Sequence, residues 1–334
     1  LLFDRVYRLL VGKKGQSQGT EITDLRINFN IQKTSDKNPN TNKIQIWNLL
    51  STTRKQFESP DTRCLLYAGY AEDAGPLLIF SGGVTHAWTK FDGPNVVTEF
   101  ELGDGAQEIR DTAVSFGYGK GVKSTQILND VSGKMGLPLT LASNAPVREW
   151  KNGLSYYGSA RGLLDKVTKG TNLEWSIQNG NLQVIEKGMV TTRQGIQIDA
   201  ESGMVGYAER ERETKGELKK ETKKGSKEPQ KDWNGWKIKT LLMPTLNPGD
   251  RVLLKSRSVE GIFRIEELTH TGDNWDGDWQ TELKLVDPAK PLGSKKATKG
   301  GKAKRGHGGG GGGGDSGDII DEGDLEAQMV NSDV

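Results

Sequence analysis

This chain repeats part of itself, and the repeat limits its architecture more than any other property of the sequence. Pro60-Asp61-Thr62-Arg63-Cys64-Leu65-Leu66 is echoed by Pro248-Gly249-Asp250-Arg251-Val252-Leu253-Leu254. Thr85-His86 is followed six residues later by Asp92-Gly93, and Thr269-His270 is followed six later by Asp276-Gly277. Thr98-Glu99 then matches Thr281-Glu282, and all four matches keep their order at offsets of 183 to 188 residues. Recurrence of ordered blocks is the mark of a duplicated unit. The chain therefore reads as two related β-domains with a different unit inserted between them.

Period-two patterning makes the repeated parts strands. Leu25, Ile27, Phe29 and Ile31 alternate with polar residues, as do Val96, Thr98, Phe100 and Leu102. Such alternation lines one face of a half-buried strand. Breaks rich in Gly, Asn and Asp at 36–42, 72–75 and 92–95 supply turns. The first hundred residues thus predict a β-barrel or sandwich, with a short helix from Ser51 to Phe57 capped by Ser51.

The middle changes period. Ser124 to Met135 places Ile127, Leu128 and Val131 on one face before Gly136, and Ser159 to Lys169 repeats this with Leu163, Leu164 and Val167 before Gly170. Both read as capped amphipathic helices. Leu173, Trp175 and Ile177 then alternate up to Asn179-Gly180, with Leu182 and Val184 beyond it, which predicts a hairpin. The fold class is mainly β (α+β). Its expected boundaries are a first β-barrel at 1–105, a small α/β domain at 106–187, a second β-barrel at 188–290 and an extended tail at 291–334.

Composition removes several functional classes. Among 334 residues, 46 Lys and Arg balance 44 Asp and Glu, so a net charge of +2 gives no case for nucleic acid by itself. No stretch approaches the ~18 uncharged apolar residues of a spanning helix, which argues against an integral membrane protein. Asp4, Arg5 and Arg8 interrupt the apolar start at 1–10, unlike the core of a secretory signal. One cysteine and three scattered histidines leave no intrachain disulfide and argue against a Cys/His zinc site.

Charge is concentrated in two places. Residues 209–232 hold Glu209 to Glu213 and then seven lysines, a solvated loop or hairpin, or else a polar surface for a partner or passing DNA. The tail runs from a basic arm, Lys295 to Arg305, through Gly308 to Gly314 into an acidic peptide containing Ile319, Ile320, Leu325 and Met329. By composition it is a disordered tail. Alternatively, these four apolar residues anchor it on a partner.

No motif commits the chain to catalysis. His86 and His270 share a repeated context, which predicts satisfied polar residues at strand ends rather than a base. Cys64 lies in an apolar run and reads as a core residue. Gly117 to Ser124 departs from the phosphate-loop pattern and reads as a glycine-rich entry to a helix. Asp273 to Asp278 has the wrong spacing for a calcium loop and reads as a hairpin turn. Catalytic, cofactor and metal residues are accordingly expected to be none.

The blocks also resemble a known family. Asn38 to Leu49, with Ile44, Ile46, Asn48 and Leu49 in its pattern, is similar to the strand-turn-strand of phage baseplate hub proteins, and Phe80-Ser81-Gly82-Gly83-Val84 to their following strand. The hairpin Glu174 to Leu182 looks like that of their α/β domain. Pro248-Gly249-Asp250, Gly261 to Ile265 and Thr269-His270 resemble the second barrel of hub and late-control-D-type proteins and of type VI secretion spikes. The resemblance covers about residues 5 to 288 and excludes the charged insertion and the tail.

What it implies is a structural virion component, assembled in the host cytoplasm and not an enzyme. Two tube-type barrels per chain would form a homotrimeric ring joining a hexameric tail tube to a trimeric central spike, with a channel for the genome. Partners would be the tail tube protein, the spike, other baseplate proteins and the tape measure protein, with DNA in transit. Alternatives are a cell-wall hydrolase of the tail tip, or a secretion-system spike or adaptor.

Overall fold

The computed structural model describes residues 4–288 apart from 14–18, 36, 38–39, 60, 143–144, 170 and 214–232. The charged insertion beyond Glu213, the tail and its expected anchors Ile319, Ile320, Leu325 and Met329 lie outside the described residues. The first part forms β1 (Arg5–Lys13), β2 (Thr20–Ile22), β3 (Ile27–Thr34), β4 (Thr41–Trp47), α1 (Ser51–Phe57), β5 (Thr62–Tyr70), β6 (Gly75–Asp92) and β7 (Asn95–Gly103). The middle supplies α2 (Ala106–Asp111), β8 (Ala113–Tyr118), β9 (Val122–Lys123), α3 (Ser124–Met135), β10 (Leu139–Leu141), β11 (Glu149–Trp150), β12 (Leu154–Ser159), α4 (Ala160–Thr168), β13 (Leu173–Gln178) and β14 (Asn181–Glu186). The last part adds β15 (Ile196–Ile198), β16 (Met204–Glu213), β17 (Trp233–Leu241), β18 (Arg251–Lys255), β19 (Glu260–Asp273) and β20 (Trp279–Val286).

Topology makes the duplication plain. Thirteen strands share one sheet whose path runs β16-β17-β20-β19-β3-β4-β7-β6-β5-β1-β2, with β18 on β19 and β15 on β18. Within it, β3-β4-β7-β6-β5 and β16-β17-β20-β19-β18 have the same order. Two separate closed barrels are not what the described residues form. β19 outreaches β18, and its second half, Glu267–Asp273, pairs antiparallel with Asn28–Thr34 of β3. One repeat thus covers the sheet edge left by the other, which satisfies backbone groups that would otherwise stay unpaired.

The ladders also correct the alignment of the repeats. Arg63 faces Gly83 as Arg251 faces Arg264, so Gly83 and Arg264 are counterparts, 181 residues apart. Both long strands then bulge at the same step, between Val84 and His86 and between Ile265 and Glu267. Past the bulge, Thr89 faces Thr98 as His270 faces Thr281. The counterpart of His86 is therefore Glu267, and the repeated Thr-His pair is a coincidence of composition. Register follows the bulge and the buried pattern, and two matching residues cannot override it.

Local signals succeed where a cap or turn is self-contained. Asn179 (φ 52°) and Gly180 (φ 73°) join β13 to β14 in a two-residue turn that needs positive φ at both positions. Ser159 caps α4 by accepting from the Gly162 amide at 3.1 Å, and Gly136 (φ 69°) ends α3. Ser51 and Ser124 are not caps. Asn48 at φ 59° swings Leu49 into the core, so Leu50 occupies the cap position and Ser51 is already helical. Ser124 Oγ accepts instead from the Arg148 amide at 3.0 Å, pinning the segment before β11.

Three apolar clusters result. One spans β1 to β7 and recruits Leu242 and Trp279 from the second repeat. A second holds α3, α4 and the β13–β14 hairpin, and a third sits in the second repeat around Ile238, Leu254, Phe263 and Leu283. Val97, Thr98, Glu99 and Phe100 of β7 are all buried, so this stretch is covered on both faces rather than one.

Candidate functional site

The seam between the repeats is built from small and large residues in register. Gly272 of β19 faces Phe29 of β3, and a Cβ on Gly272 would lie 2.2 Å from the Phe29 ring and 2.8 Å from Trp279. Phe29 and Trp279 meet edge-on at 5.3 Å, and Trp279 Nε1 donates to the Gly69 carbonyl at 3.2 Å. The Leu242 amide donates to Tyr70 Oη at 3.0 Å, and Arg26 pairs with Asp273 at 2.9 Å. Residues of the second repeat thus complete the core of the first.

A buried polar junction lies where the β13–β14 hairpin meets both repeats. Asp104, just after β7, accepts from the Asn179 amide at 2.9 Å and the Gly180 amide at 3.4 Å. Gln178 Nε2 donates to the Thr34 carbonyl at 2.7 Å. Lys33 is fully buried and donates to Asn247 Oδ1 at 3.0 Å, which also accepts from Asn179 Nδ2 at 3.4 Å. Asp250 accepts from Thr191 Oγ1 at 2.7 Å and the Asn247 amide at 2.9 Å, and pairs with Arg193 at 2.7 Å. The buried Arg264 reaches Glu174, Glu266 and Ser35, so one guanidinium ties the hairpin to both repeats.

Burial dominates the electrostatics here. It pushes the Asp104 carboxyl up to about 7 against the amides of Asn179 and Gly180 and the charge of Lys33. It brings the Lys33 ammonium down to about 8, with Asp104 opposing. Asp250 is also raised by burial, with Arg193 acting the other way. Sequence reasoning singled out neither Lys33, Asp104 nor Arg264. A signal for Lys33 was present: it continues the inward series Ile27, Phe29, Ile31, where a charge has to find a buried partner.

The expected non-catalytic residues behave unequally. His270 is buried mid-strand with Nδ1 2.9 Å from Thr281 Oγ1, and burial followed by the Lys33 charge holds its pKa well below the usual imidazole value. His86 is exposed, 4.9 Å from the Trp88 ring, so it is neither buried nor at a strand end. Cys64 is buried in the first core, and burial pushes its thiol far up, which keeps it unreactive. Burial would raise Asp273, but hydrogen bonds from Arg26 and the amides of Trp275 and Asp276 hold it below the carboxylate range. These contacts make residues 273–278 a hairpin turn. Gly121 (φ 82°) turns the chain into β9 and α3, as expected of a glycine-rich connection. Among the described residues, no His/Cys/Asp/Glu group is placed to hold a metal ion, and no helix is long and apolar enough to cross a membrane.

No family model matches the sequence, and no curated protein matches it. Solved structures do match by fold. The 43 kDa tail protein of prophage MuSo2 from Shewanella oneidensis is 11% identical with a TM-score of 0.58, over 84% of this chain and 97% of that one. A tail protein from Neisseria meningitidis MC58 is 12% identical with a TM-score of 0.56, over 84% and 96%. An Escherichia coli component of the type VI secretion system, itself described as structurally similar to T4 bacteriophage tail proteins gp27 and gp5, is 11% identical with a TM-score of 0.51, over 84% and 77%. Across nearly its whole described length, this chain has the fold of these tail proteins.

Proposed function

We propose that this chain is the structural hub of a bacteriophage tail baseplate, a trimeric ring that joins a hexameric tail tube to a trimeric central spike and leaves a channel for the genome. The observation that carries this reading is the repeated five-strand order within one sheet. Three copies of a two-unit chain present six similar units to a sixfold partner while staying threefold toward a threefold one. The fold shared with two tail proteins supports it. Its partners are then the tube protein, the spike, other baseplate proteins and the tape measure protein, with DNA passing through, in the virion after assembly in the host cytoplasm.

In this reading no residue has a catalytic task. Ile319, Ile320, Leu325 and Met329 anchor the acidic tail on a neighbour, with the glycine run giving reach. A second reading, a secretion-system spike or adaptor, is favoured by the likeness to the type VI component, and a cognate spike from either setting separates the two.

Mass in solution by light scattering, with and without the candidate spike protein, tests the hub. Three times the 36.6 kDa chain, followed by particle averages with six similar lobes around a hole, is the expected outcome. A monomer that stays monomeric with its spike, or a ring of another symmetry, overturns it.

A further inference from the structure

Inside the chain, the second half of β19 receives β3. The duplication supplies a second pair of such edges that does not meet. β6 is the counterpart of β19, and beyond Gly83 it pairs, among the described residues, with β7 alone. β16 is the counterpart of β3, since Asn30 faces Lys43 and Lys43 faces Glu101, just as Glu209 faces Lys237 and Lys237 faces Lys284. Among the described residues β16 pairs only with β17. Six strands of the sheet path separate these two edges, and they form no ladder with each other.

The seam fixes the register that such a contact takes. There Thr269 faces Gln32, His270 faces Ile31 and Thr271 faces Asn30. Carried through the ladders, Trp88 faces Glu211, Thr89 faces Arg210 and Lys90 faces Glu209. The chemistry fits this placement. The Lys90 side chain is 54% exposed with a long contact, 3.8 Å, to Glu99, and Glu209 and Glu211 are exposed. Lys43 stands over the Trp88 ring at 5.9 Å, on the face where Glu211 arrives. Phe91, Val205 and Tyr207, large apolar side chains that are 80%, 48% and 60% exposed, flank these two edges. At Ala208 the edge is occupied, because Ser256 Oγ accepts from its amide and Ser258 Oγ donates to its carbonyl. Pairing therefore begins at Glu209.

We propose that the His86–Lys90 edge of β6 receives the Glu209–Glu213 edge of β16 from a second copy of this chain, antiparallel, with Lys90 opposite Glu209. The contact is head-to-tail, so it closes into a ring when the rotation per copy allows. It rests on the ring assembly proposed above and names the surface that closes that ring. An unpaired edge of this kind otherwise recruits strands without selection, and the opposed charges select this register.

Cross-linking tests it in the full chain, where the buried Cys64 does not interfere. A Lys90→Cys, Glu209→Cys chain treated with a short bis-maleimide should give covalent species of up to three chains, whereas Lys90→Cys with Lys134→Cys on α3, both exposed, should not. Lys90→Glu or Glu209→Lys alone should weaken assembly roughly tenfold, and the two together should recover it. Intact assemblies without the Lys90–Glu209 cross-link overturn this interface and leave the ring reading standing. The cross-link within assemblies of another copy number supports the interface and overturns the threefold ring. Monomers at every concentration overturn both.

Discussion

Asp104 and Lys33 lie buried near one another, and neither has enough partners to be indifferent to pH. The folded carboxyl of Asp104 titrates near 7, against an ordinary value of about 4 in the unfolded chain. A raised carboxyl pKa favours the folded state fully below about 4, and that contribution is lost as pH rises through 7. The amides of Asn179 and Gly180 bond to different carboxylate oxygens, so Asp104→Asn keeps an acceptor for one of them only and loses that bond at every pH, but it cannot ionise. Urea denaturation between pH 5 and 7 should therefore show the parent losing on the order of 2 kcal/mol relative to the Asp104→Asn variant; parallel pH profiles would contradict the burial assigned to Asp104. His270 acts in the opposite direction, since a lowered imidazole pKa costs stability as pH falls below about 6.5. Comparison with the variant removes that common background.

At the scale of elements, the seam depends on a residue without a side chain. Gly272→Ala puts a methyl group into the Phe29 and Trp279 rings, and overpacking of this kind costs about 1 to 3 kcal/mol. Gly133, inside α3, has open space where its Cβ would be. Gly133→Ala should stabilise by about 0.5 to 1 kcal/mol through helix propensity. Chemical denaturation of both variants checks the contrast, and equal effects would mean that the β3–β19 seam is loosely packed. Elements closed by their own neighbours, the Asn179-Gly180 hairpin and the Ser159-capped helix, were legible from short stretches. Ser51 and Ser124 were misread as caps because what occupies a cap position depends on the chain that arrives there from elsewhere.

For the whole molecule, the consequence of one sheet is shared stability. Trp279 belongs to the last strand in sequence yet packs in the core of the first repeat. Trp279→Ala should cost about 3 to 5 kcal/mol and loosen β3 and β5 as much as β20. Hydrogen exchange resolved along the chain measures this, and protection lost only around β20 would show two independent units. The same sharing explains why two barrels were expected and one sheet was found. Period-two patterning marks strands but carries no information about which edges meet, and β3 with β19 is a pairing across more than two hundred residues.

Alternation, turn residues and the recurrence of blocks were enough to determine that this chain is mainly β and repeats a strand order, with helices α3 and α4 between the repeats, because each signal is local or a comparison of local patterns. The buried set of Lys33, Asp104, Asn247 and Asp250 comes from three distant stretches of chain, so no one stretch of sequence could show it as a cluster. Tertiary structure alone decided the register of the repeats, the exposure of His86 against the burial of His270, and which edges remain open. Those are set by a shared bulge and by ladder hydrogen bonds between distant strands, which have no signature in the order of residues along the chain.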